Sequence, residues 1–187
     1  GQHHEPRMLN PLEQGAQAIA HIELPNRVVV SAMCLYSSVD GLPNDLHLVH
    51  LGARAQGGAG LVYTEMTNVE PRGRITPHCT GIWNEEQAKA WKRIVDFVHA
   101  ATEAKICLQL GHAGIKGSTK APWDCAFHDE PLQGGWEIIG PTDEPWQPGN
   151  PVPRAMDRAD MDEVAAAYRR AAELALTAGF DMLELHA

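Results

Sequence analysis

The four cysteines, Cys34, Cys79, Cys107 and Cys125, stand far apart with no Cys-x-x-Cys pair. That spacing argues against a zinc ribbon or a disulfide framework and for reduced thiols in a cytoplasmic protein. No apolar run approaches the roughly 20 residues of a membrane span, and the opening Gly1-Gln2-His3-His4 carries no signal-peptide pattern. Basic residues number 15 against 24 acidic ones, a net charge of −9, and they form no cluster. Nucleic acid and anionic membranes are therefore excluded as expected partners. No Gly-x-Gly-x-x-Gly follows a strand pattern, so a nucleotide-binding open sheet lacks its usual marker. Ser31 has no nucleophile-elbow context, and no lysine sits on a strand pattern to serve a Schiff-base aldolase.

What is present is a chain of 187 residues, 44% hydrophobic and 21% charged, long enough for one domain with a core of its own. It is organised around residues 24–38. Pro25-Asn26 is turn chemistry. Val28, Val29 and Val30 then read as a strand buried on both faces, as in a parallel sheet. Ser31, Met33, Cys34 and Tyr36 follow at its C-terminal end, where an α/β sheet or barrel places its ligand.

Three strand patterns come after it, each preceded by a helix pattern. Asn44 caps a helix carrying Leu46, Val49 and Ala53, which Gly57-Gly58 closes, and Ala59-Gly60 leads into strand Leu61–Thr64. Asn84 with Gln87 predicts a capping box, and the helix behind it buries Trp91, Ile94, Val95 and Val98. Strand Ile106–Leu110 comes next. Asp160 with Glu163 predicts a third cap, for a helix burying Met161, Val164, Tyr168, Ala171 and Leu174. Ala178-Gly179 then opens strand Met182–His186. The alternation implies a parallel sheet with right-handed crossovers, as an open sheet or a (β/α)8 barrel. Two apolar patches within residues 8–27 are compatible with a hairpin before the first strand, and His3-His4 reads as a terminus rather than a metal site.

Between the third strand and the third helix, residues 111–158 hold seven of the 13 prolines and three of the five tryptophans, Trp123, Trp136 and Trp146. A stretch so rich in aromatics is expected to be an ordered lid or binding wall, not a linker. Strand alternation puts Gln109, Glu184 and His186 opposite the leucines, toward a barrel interior, while the leucines face the helices. Buried polar groups need partners, so these three, with Ser31, point to a polar ligand at the barrel mouth. His112 is read first as a structural histidine bonded to a nearby loop.

Four motifs, in order, resemble the Old Yellow Enzyme family: residues 24–38; Gly73-Arg74-Ile75-Thr76 with Gly81-Ile82-Trp83; Leu108-Gln109-Leu110-Gly111-His112-Ala113-Gly114; and residues 178–187. The resemblance implies an FMN-dependent ene-reductase on a (β/α)8 barrel, of which this chain supplies about the first four β/α units. It implies hydride transfer from NAD(P)H through flavin to an activated C=C bond, in an enone or an aryl-CoA-derived dienone. By the same resemblance Ser31, Ala32, Met33, Cys34, Met66 and Gln109 line the flavin. Cys34 lies near its reactive part, Tyr36 touches the substrate, and His186 donates to the substrate oxygen. Lys116-Gly117-Ser118-Thr119-Lys120 and the Pro/Trp-rich stretch are similar to the reductase part of bifunctional aminobenzoyl-CoA monooxygenase/reductases and salicylyl-CoA hydroxylases.

The sequence departs from the family at Ala32, where proline is common, and at Met66, where a small residue is usual. A second histidine, a tyrosine proton donor and the phosphate-binding loops are expected beyond Ala187. The chain is thus expected to belong to a longer polypeptide or to a homo-oligomer. Two other readings are a dienoyl-CoA-reductase-like relative, whose cysteine cluster is not seen here, and a non-catalytic half-barrel serving as an assembly module.

Overall fold

Small residues at the helix-to-strand joints set where each strand begins. The computed structural model describes residues 22–186; most of the expected hairpin and His3-His4 lie outside them. At the first joint the Asn26 amide donates to Gly58 O, Val28 N–H donates to Asn26 Oδ1, and Gly60 N–H donates to Val28 O. A Cβ on Gly60 would lie 2.6 Å from Asn26 O, so only glycine lets the turn approach this closely. At the last joint Gly179 adopts φ 90° and receives the C-terminus of its helix.

The elements are β1 (Val29–Val30), α1 (Asp45–Gln56), β2 (Leu61–Tyr63), β3 (Thr67–Asn68), α2 (Glu85–Ala101), β4 (Lys105–Gly111), β5 (Ile139–Gly140), β6 (Arg154–Ala155), α3 (Arg158–Ala178) and β7 (Met182–His186). All strand pairings in the main sheet are parallel: β1 with β2, β2 and β3 with β4, and β4 with β7. Strands thus lie side by side in chain order with a helix before each crossover, as in one arc of a (β/α)8 barrel.

Strands β2 and β3 are two halves of one barrel strand. Tyr63 pairs with Cys107 but Thr67 pairs with Leu110, so Thr64, Glu65 and Met66 stand opposite only Leu108 and Gln109. This is a β-bulge of one extra residue. Two hydroxyls repair the broken ladder: Thr64 Oγ1 accepts from Gln109 N–H and donates to Glu65 O, and Thr67 Oγ1 donates to the same carbonyl.

The core lies between the sheet and the helices, where Ile106, Leu108 and Leu110 meet Trp91, Ile94, Val95 and Val98 of α2. Trp91 is fully buried, donates from its indole N–H to Gly81 O, and meets Phe180 edge to face.

Five expectations are corrected. Val28 and Val29 are about half exposed rather than buried on both faces, because among the described residues β1 pairs with β2 alone. On α1 the buried face is His47, Leu51, Gly52 and Ala55, while Leu46 and Val49 point outward. Gly52 packs directly on Phe97, where a Cβ would lie 2.6 Å from the ring. The third helix begins one turn earlier, with Asp157 as N-cap and Asp160 as its capping-box partner, so Met161 is exposed. Leu183 and Leu185 share the helix side of the sheet with Leu108 and Leu110 but are exposed, as among the described residues β7 pairs with β4 alone. The box at Asn84 is half formed: its side chain accepts from Gln87 N–H, but the Gln87 amide turns to Trp83 N–H and Asp40 O.

Residues 111–158 form an ordered wall. Ile138 and Ile139 are buried, β5 and β6 pair in parallel, and each tryptophan is engaged. The Trp136 indole donates to Arg72 O, the Trp146 indole donates to Asp129, and Trp123 meets the Tyr36 ring at 6.3 Å. Arg74 lies between the rings of Trp136 and Trp83, 4.9 and 5.7 Å from their centroids. His112 is structural, as expected: its Nε2 bonds Glu70 at 2.8 Å and its Nδ1 accepts from Gly114 N–H. Glu70 is partly desolvated, which works against its charge, yet the bonds from His112 and Arg72 hold its carboxyl below the usual range.

Candidate active site

Leaving β1, the chain runs through residues 31–38 without regular secondary structure. Ser31 and Met33 are exposed there, with Ala32 and Cys34 between exposed and buried. Tyr36 takes φ 48°, the left-handed region that a bulky residue seldom adopts. Holding it there costs on the order of 1 kcal/mol or more, so the surroundings must enforce it.

They do so on both sides. Leu35 N–H donates to Glu65 Oε2 at 3.3 Å, and the Asn44 amide donates to Ser37 O at 2.6 Å. Ser37 Oγ donates to Leu35 O, and Ser38 is tied by backbone and side chain to His78 O and Cys79 O.

Within the loop the Cys34 thiol and the Tyr36 phenol lie near enough to affect each other's ionisation, and Cys34 lies near the Met66 backbone. Burial, and next to it the Glu65 carboxylate, push the Cys34 thiol up to about 11. Burial also pushes the Tyr36 phenol upward, so both groups keep their protons well above neutral pH. The structure therefore brings Cys34, Tyr36 and Met66 together.

On β4 and β7 the interior face carries the other group. Gln109 Nε2 donates to Glu184 Oε2 at 3.2 Å, its neighbour across the ladder. That bond orients the amide. His186 ends β7 opposite Gly111 and is exposed. Met66 lies over Gly111, where any Cβ would come within 2.4 Å of Met66 Cγ. The larger side chain is thus accommodated by the bare backbone of the next strand.

Beside Tyr36 opens a cavity of about 310 Å³, walled by Ile75, Thr76, Pro122 and Phe127. Lys120 also borders it but is paired with Glu130, while Lys116 sits 3.9 Å from the Trp146 ring centroid.

Sequence reasoning missed Glu65 and His47. Both are buried, and His47 Nε2 lies 2.7 Å from Glu65 Oε1. The available signal was a glutamate directly after a run of buried β residues, where a charge requires a partner. Among the described residues no cluster of three His, Cys, Asp or Glu side chains forms a metal site, and all four cysteines are free thiols.

Residues 16–187 match the NADH:flavin oxidoreductase / NADH oxidase family. Among curated relatives, an NADH:flavin oxidoreductase of Gibberella zeae is 40% identical over 173 residues, 90% of this chain and 42% of its own length. An NADPH dehydrogenase of Listeria monocytogenes is also 40% identical, over 89% of this chain and 45% of its own. Morphinone reductase superposes with a TM-score of 0.75 at 30% identity, covering 89% of this chain and 45% of that one. Old Yellow Enzyme from Pichia sp. superposes with the same TM-score at 26% identity, covering 89% of this chain and 43% of that one. The chain thus spans less than half the length of each of these relatives.

Proposed function

The chain belongs to the NADH:flavin oxidoreductase / NADH oxidase family, the Old Yellow Enzymes, and from that premise we propose that it supplies the flavin-facing half of an FMN-dependent ene-reductase. The barrel of the family supports the fold reading, with this chain as about its first four β/α units. The observation that carries the functional reading is the convergence of two groups at the C-terminal ends of parallel strands. One is Cys34 with Tyr36 and Met66, and the other is Gln109 with Glu184.

Their chemistry fits FMN. A carboxamide offers both a donor and an acceptor to the polar edge of an isoalloxazine, and Glu184 holds its orientation. Thiol and thioether groups, Met33, Cys34 and Met66, suit a polarisable ring face. Ser31 and Ala32 bring backbone groups to the same edge of the sheet. When bound, FMN would accept hydride from NAD(P)H and deliver it to the substrate's β-carbon.

The chain's own residues bind and orient. Tyr36, protonated at neutral pH, would donate a hydrogen bond to the substrate. His186 would donate to the substrate oxygen and stabilise the charge that gathers there as the double bond is reduced. The cavity beside Tyr36 is largely apolar and its bordering lysine is already neutralised by Glu130. That favours a compact enone over a CoA thioester, whose phosphates would have to displace Glu130 from Lys120 or Trp146 from Lys116.

The test is a visible spectrum of the natively expressed protein, followed by NADPH oxidation with a cyclic enone. A flavin band released as FMN, with enone-dependent turnover, is the expected result. Absence of flavin would overturn the reading. Flavin without enone turnover would overturn only the substrate class.

A further inference from the structure

The bulge between β2 and β3 adds one residue to the strand and sets Glu65 in the buried space below the Cys34–Tyr36 loop. Both of its oxygens are used. Oε2 accepts from Leu35 N–H, and Oε1 lies 2.7 Å from His47 Nε2. On its other side His47 Nδ1 meets both the backbone N–H and the side-chain Oδ1 of Asn44, each at 3.0 Å. Glu65 is thus held at both oxygens, by the Leu35 amide and by the imidazole. Asn44, the other end of this chain of bonds, holds Ser37 O. The two residues flanking strained Tyr36 are thus gripped by the two partners of one buried histidine.

We infer that Glu65, set by the bulge and held by His47, is a positioning residue that fixes the Cys34–Tyr36 loop through the Leu35 amide and faces the Cys34 sulfur with a buried negative charge. Nothing in the proposed chemistry requires Glu65 to touch substrate or cofactor. The inference rests on the ene-reductase reading for its consequence, because Cys34 and Tyr36 are the residues held, but thiol titration needs no bound flavin. Titratable groups facing Cys34 are Glu65 on the bulge, Cys79 on the following loop and Tyr36 on its own loop, with His47 of α1 behind Glu65.

The experiment measures alkylation of Cys34 by iodoacetamide against pH in the natively expressed protein, read site by site from peptide masses. Glu65→Gln removes the charge at nearly constant volume. The expected result is a lower alkylation midpoint, with the rate at pH 8 rising about three- to ten-fold. His47→Gln keeps the carboxylate and an N3 side chain suited to a capping box, and the midpoint stays where it is in the unsubstituted protein. A loop that merely opened would raise the plateau rate and leave the midpoint of Glu65→Gln unmoved, and that outcome would overturn the inference. Should Glu65→Gln not fold, the Leu35 amide decides the matter by hydrogen exchange in the unsubstituted protein. Protection is expected, and exchange at the rate of an open loop would be fatal to the idea.

Discussion

Cys34 stays a thiol well above neutral pH because its sulfur is buried and a carboxylate stands next to it. Cys107, buried on the interior face of β4 beside Glu184, is pushed up to about 12, and burial raises Tyr63 and Cys79 as well. Each group keeps its proton in the fold after the unfolded chain would have lost it. Their contribution to stability is therefore complete below about pH 8.5 and is lost as pH rises toward their folded values. We predict a fall in unfolding free energy between about pH 9 and 11, followed by denaturant titration, that Cys34→Ser and Cys107→Ser each make shallower. Gly111 gives a second residue-level test. Gly111→Ala drives a methyl into Met66, at an expected cost of about 1–3 kcal/mol, and Met66→Ala in the same chain should recover part of it.

At the scale of elements, α2 is the anchor. Trp91 fills the core, closes on Gly81 O and touches both Phe180 and His47. Trp91→Ala should lower stability by about 3–5 kcal/mol in a denaturant melt, whereas Asp157→Ala, which removes only the N-cap of α3, should cost about 1 kcal/mol. The elements were legible where one strong local rule applied. Strand Met182–His186 and the buried face of α2 are as their periodicity implies, and Gly179 closes its helix in the left-handed turn that glycine favours. The sequence reading failed where a polar side chain outranked an apolar one. On α1 hydropathy points to Leu46 and Val49, but His47 is the buried residue because Glu65 waits beneath it. Cys34 and Tyr36 were singled out from the end of a strand pattern, Gln109 from strand alternation and Met66 from motif likeness, while the Glu65–His47 pair joins residues 18 apart across a bulge that no local pattern announces. The two-residue length of β1 and its half-exposed valines reflect pairing on one side among the described residues, which depends on the neighbours and not on the run itself.

At the scale of the described chain, the wall formed by residues 111–158 is tied to the 70–78 segment by Ala113 N–H to Gly73 O, Thr119 to Ile75 O and the Trp136 indole to Arg72 O. Arg74, donating to Pro71 O and Pro77 O, adds a cation–π contact to Trp136 of the wall and another to Trp83. Arg74→Ala removes both cation–π contacts, each worth about 0.5–2 kcal/mol. Limited proteolysis within residues 120–150 should accelerate about two- to thirty-fold, while the helical circular dichroism stays unchanged. A Tyr36 cavity walled from one side by this segment should widen with it, so the same variant is expected to accept bulkier enones in the turnover assay.

The bulge also makes the strand unusually informative to shorten. Removing one residue from Thr64–Met66 would restore a continuous ladder against β4, with every backbone group paired in step. In a deletion library such a chain would be recovered among the well-folded members. Deleting Glu65 itself removes the carboxylate from beneath Leu35, and deleting Thr64 moves it one position along the strand and so to the opposite face. A selection for folding alone and a selection for turnover would therefore keep opposite alleles at this position.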